Sequence, residues 1–171
     1  MSKAFTRDED AGMSPVLQRP MSPLPPGVKN YITAAGAKRI EDELKNLREI
    51  ERPRAVTSND PGKAELLQKI EMRIAYLDQS LLAAEVVQPP AQSDDKVRFG
   101  ATVTVRDKHG VETKYRIVGV DETDIDRDWV SWRSPVAKAL LNATVGQRVK
   151  FQIPAGTQEW EIVSINYDEP A

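Results

Sequence analysis

The chain has 171 residues, room for one full domain and a smaller element beside it, and at 40 % hydrophobic content it is too polar for every segment to lie in a core. Its 24 basic and 26 acidic residues leave a formal charge of −2, with no cationic excess to neutralise a nucleic-acid backbone, so the composition favours a protein partner over sequence-specific DNA binding. The lack of cysteine and the single histidine exclude disulfides and the usual metal clusters, and no apolar run approaches the ~18 residues a membrane span needs.

Residues 1–30 hold Pro15, Pro20, Pro23, Pro25 and Pro26 and show neither helical nor strand periodicity, so a disordered Pro-rich tail is expected. Asp8, Glu9 and Asp10 stand where a signal peptide would be apolar, which points to a soluble, cytoplasmic protein with no membrane partner.

From Tyr31 the pattern becomes helical. Thr33 is an N-cap candidate, and Ile40, Leu44, Leu47 and Ile50 recur at spacings of four, three and three. Asn59-Asp60-Pro61-Gly62 is a turn signal, after which Leu66 or Leu67, Ile70, Ile74, Leu77 and Leu81 form a second stripe. Pairing 40 with 81, 44 with 77 and 47 with 74 gives one constant sum, and 50 with 70 falls one short. That register centres on Asp60 and Pro61, where the turn chemistry lies. Residues 31–87 therefore read as an antiparallel helical hairpin, a two-stranded coiled coil, with Pro53 expected to kink its first arm or cost it a hydrogen bond.

Residues 88–96 are a linker by composition. Over 97–168 the period becomes two: Val103 and Val105 form one strand, Asp107-Lys108-His109-Gly110 a turn, and Tyr115, Ile117 and Val118 a second strand. Trp129 to Trp132 lead into a helix capped by Ser134, with Pro135 in its first turn and Val136, Ala139, Leu140 and Ala143 as its apolar face, expected to run until Gly146. Val149 to Ile153, a Pro154-Ala155-Gly156 turn and Trp160 to Tyr167 close the domain as a hairpin. The fold class is α+β, a helical hairpin followed by an antiparallel sheet with one helix on a face.

No enzyme chemistry is legible. There is no cysteine nucleophile and no Gly-x-Ser-x-Gly, and His109 sits in a turn without a triad partner. Pro61-Gly62-Lys63-Ala64 lacks the first glycine and the hydroxyl residue of a phosphate loop.

The run Ser134-Pro135-Val136-Ala137-Lys138-Ala139-Leu140-Leu141, ending in Val145-Gly146, resembles the C-terminal domain of the bacterial GreA and GreB transcript-cleavage factors. Ile32-Thr33-Ala34-Ala35-Gly36 with Glu43-Leu44-Lys45-Asn46-Leu47 resembles the opening of a Gre hairpin, and Glu51-Arg52-Pro53 is similar to the GreB branch, the nearer of the two. Arg116-Ile117-Val118-Gly119 and Pro154-Ala155-Gly156 extend the likeness over about residues 31–168. The resemblance implies an FKBP-like C-terminal domain and a factor that binds RNA polymerase core at the β′ rim of its secondary channel. It implies no hydrolase and no cofactor of the chain's own, only help in holding the Mg²⁺ of the polymerase active site if the hairpin tip reaches it.

By the same resemblance the tip candidates are Asp60 and Glu65, and the polymerase-binding candidates are Arg133, Ser134, Pro135 and Ala137. Three departures stand out. The family's second catalytic acid and its neighbouring asparagine have no counterpart, and the hairpin is shorter by about one heptad per arm, or ~10 Å of reach. Arg133 also stands where the family has an acid, reversing the charge at the docking loop. The expected function is accordingly modulation of elongation in stalled or backtracked complexes, with cleavage stimulated weakly or not at all. The alternative is a competitive occupant or inhibitor of the channel, and a third reading is an interaction module unconnected with transcription.

Overall fold

Thr33 starts the first helix as its side chain allows: Oγ1 accepts the N–H of Gly36 at 2.9 Å and the carbonyl accepts that of Ala37 at 2.9 Å, so α1 (Ala34–Asn46) is capped where expected. The computed structural model describes residues 17, 21–91 and 95–167. Within them the chain forms two units, Arg39–Leu82 with the described residues before Leu24, and Leu24–Lys38 with the described residues from Ala83 onward. Most of the expected tail and residues 92–94 of the expected linker lie outside the described residues.

In the first unit α1 passes into a π-turn, Leu47–Glu51, where the N–H of Arg52 bonds the carbonyl of Leu47 five residues back. Helix α2 (Arg52–Thr57) follows, with Pro53 in its first turn. A proline lacks the N–H and crowds the carbonyl four residues earlier, and the wider turn rearranges the hydrogen bonds just ahead of it. The extra residue also rotates the stripe. Ile40, Leu44 and Leu47 are buried as expected, but Ile50 is 43 % exposed and Ala55 is the next buried residue, so the expected place of Ile50 in the seam is corrected.

The second arm is α3 (Lys63–Leu82), which buries Ile70, Ile74 and Leu77. Between the arms Glu43 and Arg73 form an ion pair at 2.7 Å, with side chains only 8 % and 6 % exposed. Arg48–Asp78 and Arg52–Glu71 add half-exposed pairs. The antiparallel hairpin thus has an apolar seam with one buried charge pair, the kind of polar contact that penalises a slipped register.

The second unit begins with β1 (Asn30–Ile32), paired in parallel with β2 (Ala84–Val86). Neither strand was legible, since three residues carry no period. A five-stranded sheet follows, in the order β5-β4-β3-β7-β6. Its strands are β3 (Thr102–Arg106), β4 (Glu112–Val118), β5 (Trp129–Ser131), β6 (Arg148–Ile153) and β7 (Gly156–Asn166). All neighbours are antiparallel except β4 and β5, which run parallel.

Helix α4 (Pro135–Leu140) covers the core of Val97, Ala101, Val103, Val105, Ile117, Val149 and Ile162. It is shorter than the sequence suggested. Leu141 leaves the helix and Asn142 takes a left-handed φ of 67°, which asparagine tolerates better than most residues. Gly146, with φ 84°, serves the turn into β6 instead, where its N–H reaches the Ile162 carbonyl at 2.7 Å. Leu140 is fully buried as expected and Ala143 is buried just beyond the helix, but Ala137 takes the other fully buried place in the helix, while Val136 and Ala139 are only partly buried.

Candidate functional site

Chain reversal at the hairpin tip depends on Asp60. Its N–H donates to Ser58 Oγ at 3.1 Å, its Oδ1 accepts the N–H of Gly62 at 2.7 Å, and its carbonyl accepts that of Lys63 at 3.1 Å. Two of these bonds close an Asx-type turn that opens α3, which explains the Asn-Asp-Pro-Gly signal chemically. The side chain is exposed, but one carboxylate oxygen is already engaged by the chain's own backbone.

Glu65 lies in the first turn of α3, exposed, with Oε1 2.9 Å from Lys69 Nζ one turn on. The hydrogen bond from that ammonium, then its charge, holds the Glu65 carboxyl below its ordinary value. Among the described residues no group of three or more His, Asp or Glu side chains is placed to hold a metal. Asp60 and Glu65 are the acids of the tip segment, each with a local partner, and Lys63 stands between them in sequence. Such a tip is unlike a carboxylate pair free to share a divalent ion.

At the second unit's candidate segment, Ser134 caps α4 as its sequence predicts. Its Oγ accepts the N–H of Ala137 at 3.1 Å, and its own N–H donates to the Ser131 carbonyl at 2.8 Å. Arg133 donates its N–H to Ser131 Oγ at 3.2 Å, so the Arg133-Ser134-Pro135 backbone is held from below. Pro135 is exposed. Ala137 is fully buried, and its methyl belongs to the core under α4. Its inclusion among contact residues is therefore corrected: it can only support the segment.

Both tryptophans flanking this segment have local roles. Arg116 and Arg127 lie over the Trp129 ring at 4.9 and 5.3 Å, and Trp132 meets Tyr31 edge-on at 5.2 Å.

Sequence reasoning missed Glu122, which closes a short 3₁₀ turn (Val120–Glu122) and is 6 % exposed. Its Oε2 accepts the N–H groups of Thr33 at 3.0 Å and Gly119 at 2.9 Å, while Oε1 takes the Thr33 hydroxyl. Gly36 and Gly119 make room: a Cβ at Gly36 would stand 2.0 Å from Glu122 Oε1, and one at Gly119 would stand 2.4 Å from the Tyr31 carbonyl. The two glycines around one acid were the available signal, but their distance along the chain hid it.

The family profile described as "Transcription elongation factor, GreA/GreB, C-term" matches residues 92–167. The transcription elongation factor GreB of Neisseria meningitidis serogroup B is 37 % identical over 154 residues, covering 81 % of this chain and 94 % of the relative. GreA of Alkalilimnicola ehrlichii is 36 % identical over 152 residues, covering 80 % and 96 %. A solved structure titled a prokaryotic transcription elongation factor GreA/GreB, from Nitrosomonas europaea, is 25 % identical, with a TM-score of 0.41 and coverage of 82 % and 99 %. The 154 aligned residues of the Neisseria relative take up only 81 % of a 171-residue chain, so that relative has about two heptads' worth of residues without a counterpart here.

Proposed function

The chain belongs to the GreA/GreB family of transcription elongation factors, and from that premise we propose that it binds RNA polymerase core at the rim of the secondary channel and modulates elongation there without stimulating RNA cleavage. In this reading the Ser134-Pro135 segment docks and the helical hairpin enters the channel. The polymerase remains the catalyst, in the cytoplasm, and the chain brings no cofactor.

The state of the tip carboxylates carries the proposal. To help hold the polymerase's Mg²⁺, a tip acid must bring an oxygen within ~2.0–2.1 Å of the ion, and one acid rarely suffices. Asp60 has one oxygen on the Gly62 N–H, and Glu65 is drawn along α3 to Lys69. The donor set does not fit a second metal. The Neisseria relative's residues without a counterpart here are about as many as one heptad per arm would account for.

The same tip favours a second reading, an occupant that competes with true cleavage factors. Competition distinguishes both from the interaction-module reading. Labelled chain bound to core polymerase from its own organism should be displaced by the Neisseria GreB, each acting at the other's site. Simultaneous binding without displacement would move the site away from the channel, and no binding would remove the polymerase as partner.

A further inference from the structure

Charge is distributed unevenly along the second unit. Between Asp128 and Glu159 there is no acidic residue, while Arg133, Lys138, Arg148 and Lys150 all fall there. Arg148 and Lys150 are drawn to Glu159, at 3.7 and 3.1 Å. Arg133 and Lys138 have no ion-pair partner among the described residues, and they flank the exposed Pro135 on α4.

Lys138, in the last turn of α4, gains from the negative end of the helix dipole. Arg133 has the opposite placement. It directly precedes the N-cap, beside the positive end, where a carboxylate would stabilise the helix and a cation is disfavoured. A charge of the unfavourable sign, with no acid to answer it, is unexplained by the fold. The backbone beneath is rigid: Ser131 and Ser134 fix the approach, and Ala137 and Leu140 are buried under the helix.

We infer that Arg133, Pro135 and Lys138 form a cationic docking surface whose occupant is an acidic face of a protein. Resting on the polymerase reading above, the inference makes that face an acidic patch on RNA polymerase core. Nucleic acid fits worse. Two cations release few counterions, and the neighbouring segment carries Asp121, Asp124, Asp126 and Asp128 in a chain of net charge −2, which repels a phosphate backbone. A protein face can set its acids opposite two points and place neutral or basic groups beside the acidic segment.

The test titrates the full-length chain against core polymerase from its own organism at low and moderate salt, using wild type, Arg133→Asp, Arg133→Lys and the double change Arg133→Asp with Lys138→Glu. Circular dichroism confirms that each variant is folded. Arg133→Asp should weaken binding about tenfold or more and flatten its salt dependence, the double change should weaken it further, and Arg133→Lys should stay within about threefold. Equal or tighter binding by Arg133→Asp overturns the acidic partner while leaving the polymerase reading intact. Absence of wild-type binding overturns the polymerase reading and this inference with it. Wild-type binding to a single-stranded RNA oligonucleotide, abolished by Arg133→Asp, would assign the surface to nucleic acid instead.

Discussion

Glu122 answers three donors with one carboxylate in a site almost closed to water. Removing it strands the N–H groups of Thr33 and Gly119, and each buried donor left unpaired costs about 1–3 kcal/mol. Glu122→Ala should therefore lower the unfolding free energy by about 3 kcal/mol in urea titration, and Glu122→Gln by less, because an amide oxygen still accepts. A loss below about 1 kcal/mol for the alanine variant would mean that water replaces the carboxylate and that it is no structural clamp. Tip residues were readable because turn chemistry is local: Asn-Asp-Pro-Gly named both the turn and the residue that closes it. Glu122 was not, because its partners lie 89 and three positions away and a buried acid has no sequence period. Ala137 failed for a related reason. A motif gives neighbours along the chain, while the fold decides which of them face solvent.

Among the elements, the helical hairpin was the most legible, since its stripe and its turn gave one register by separate arguments. Where it departed, one residue was responsible: the π-turn ahead of Pro53 inserts a step, moves Ile50 out to 43 % exposure and brings Ala55 into the seam. Apolar spacing assumes an uninterrupted 3.6-residue turn and cannot show such an insertion. The end of α4 was misplaced because Gly146 is the stronger stop signal by composition, while Asn142 adopts the left-handed conformation first. The hairpin also allows an element-scale test. Seven residues added to each arm above Leu47 and below Ile74, continuing the stripe, keep the seam in phase and lengthen the reach by ~10 Å. The variant should unfold cooperatively, with a stronger far-UV helical signal and a midpoint within about 5 °C of wild type. Loss of cooperativity would show that the Glu43–Arg73 pair and the π-turn, rather than the apolar stripe, define the register.

At the scale of the whole molecule, the two units differ in the chemistry they expose. A sheet with one helix capped by Ser134 presents an exposed Pro135 beside two unanswered cations, and a two-helix hairpin presents a tip whose acids are engaged locally. A net charge of −2 leaves no cationic excess for a nucleic-acid backbone, and among the described residues no helix is long and apolar enough to cross a membrane. Family membership was readable from the motifs, whereas the sign of the effect on transcription depends on what the tip can reach and hold. The most direct measurement is RNA cleavage in stalled elongation complexes of the polymerase from the chain's own organism, with and without saturating wild-type chain. The proposed function predicts an unchanged cleavage rate, and cleavage only when the lengthened hairpin is combined with a second tip acid beside Asp60. Robust cleavage with the unmodified chain, lost on Asp60→Asn, would contradict it and show that the short hairpin delivers a working carboxylate to the metal.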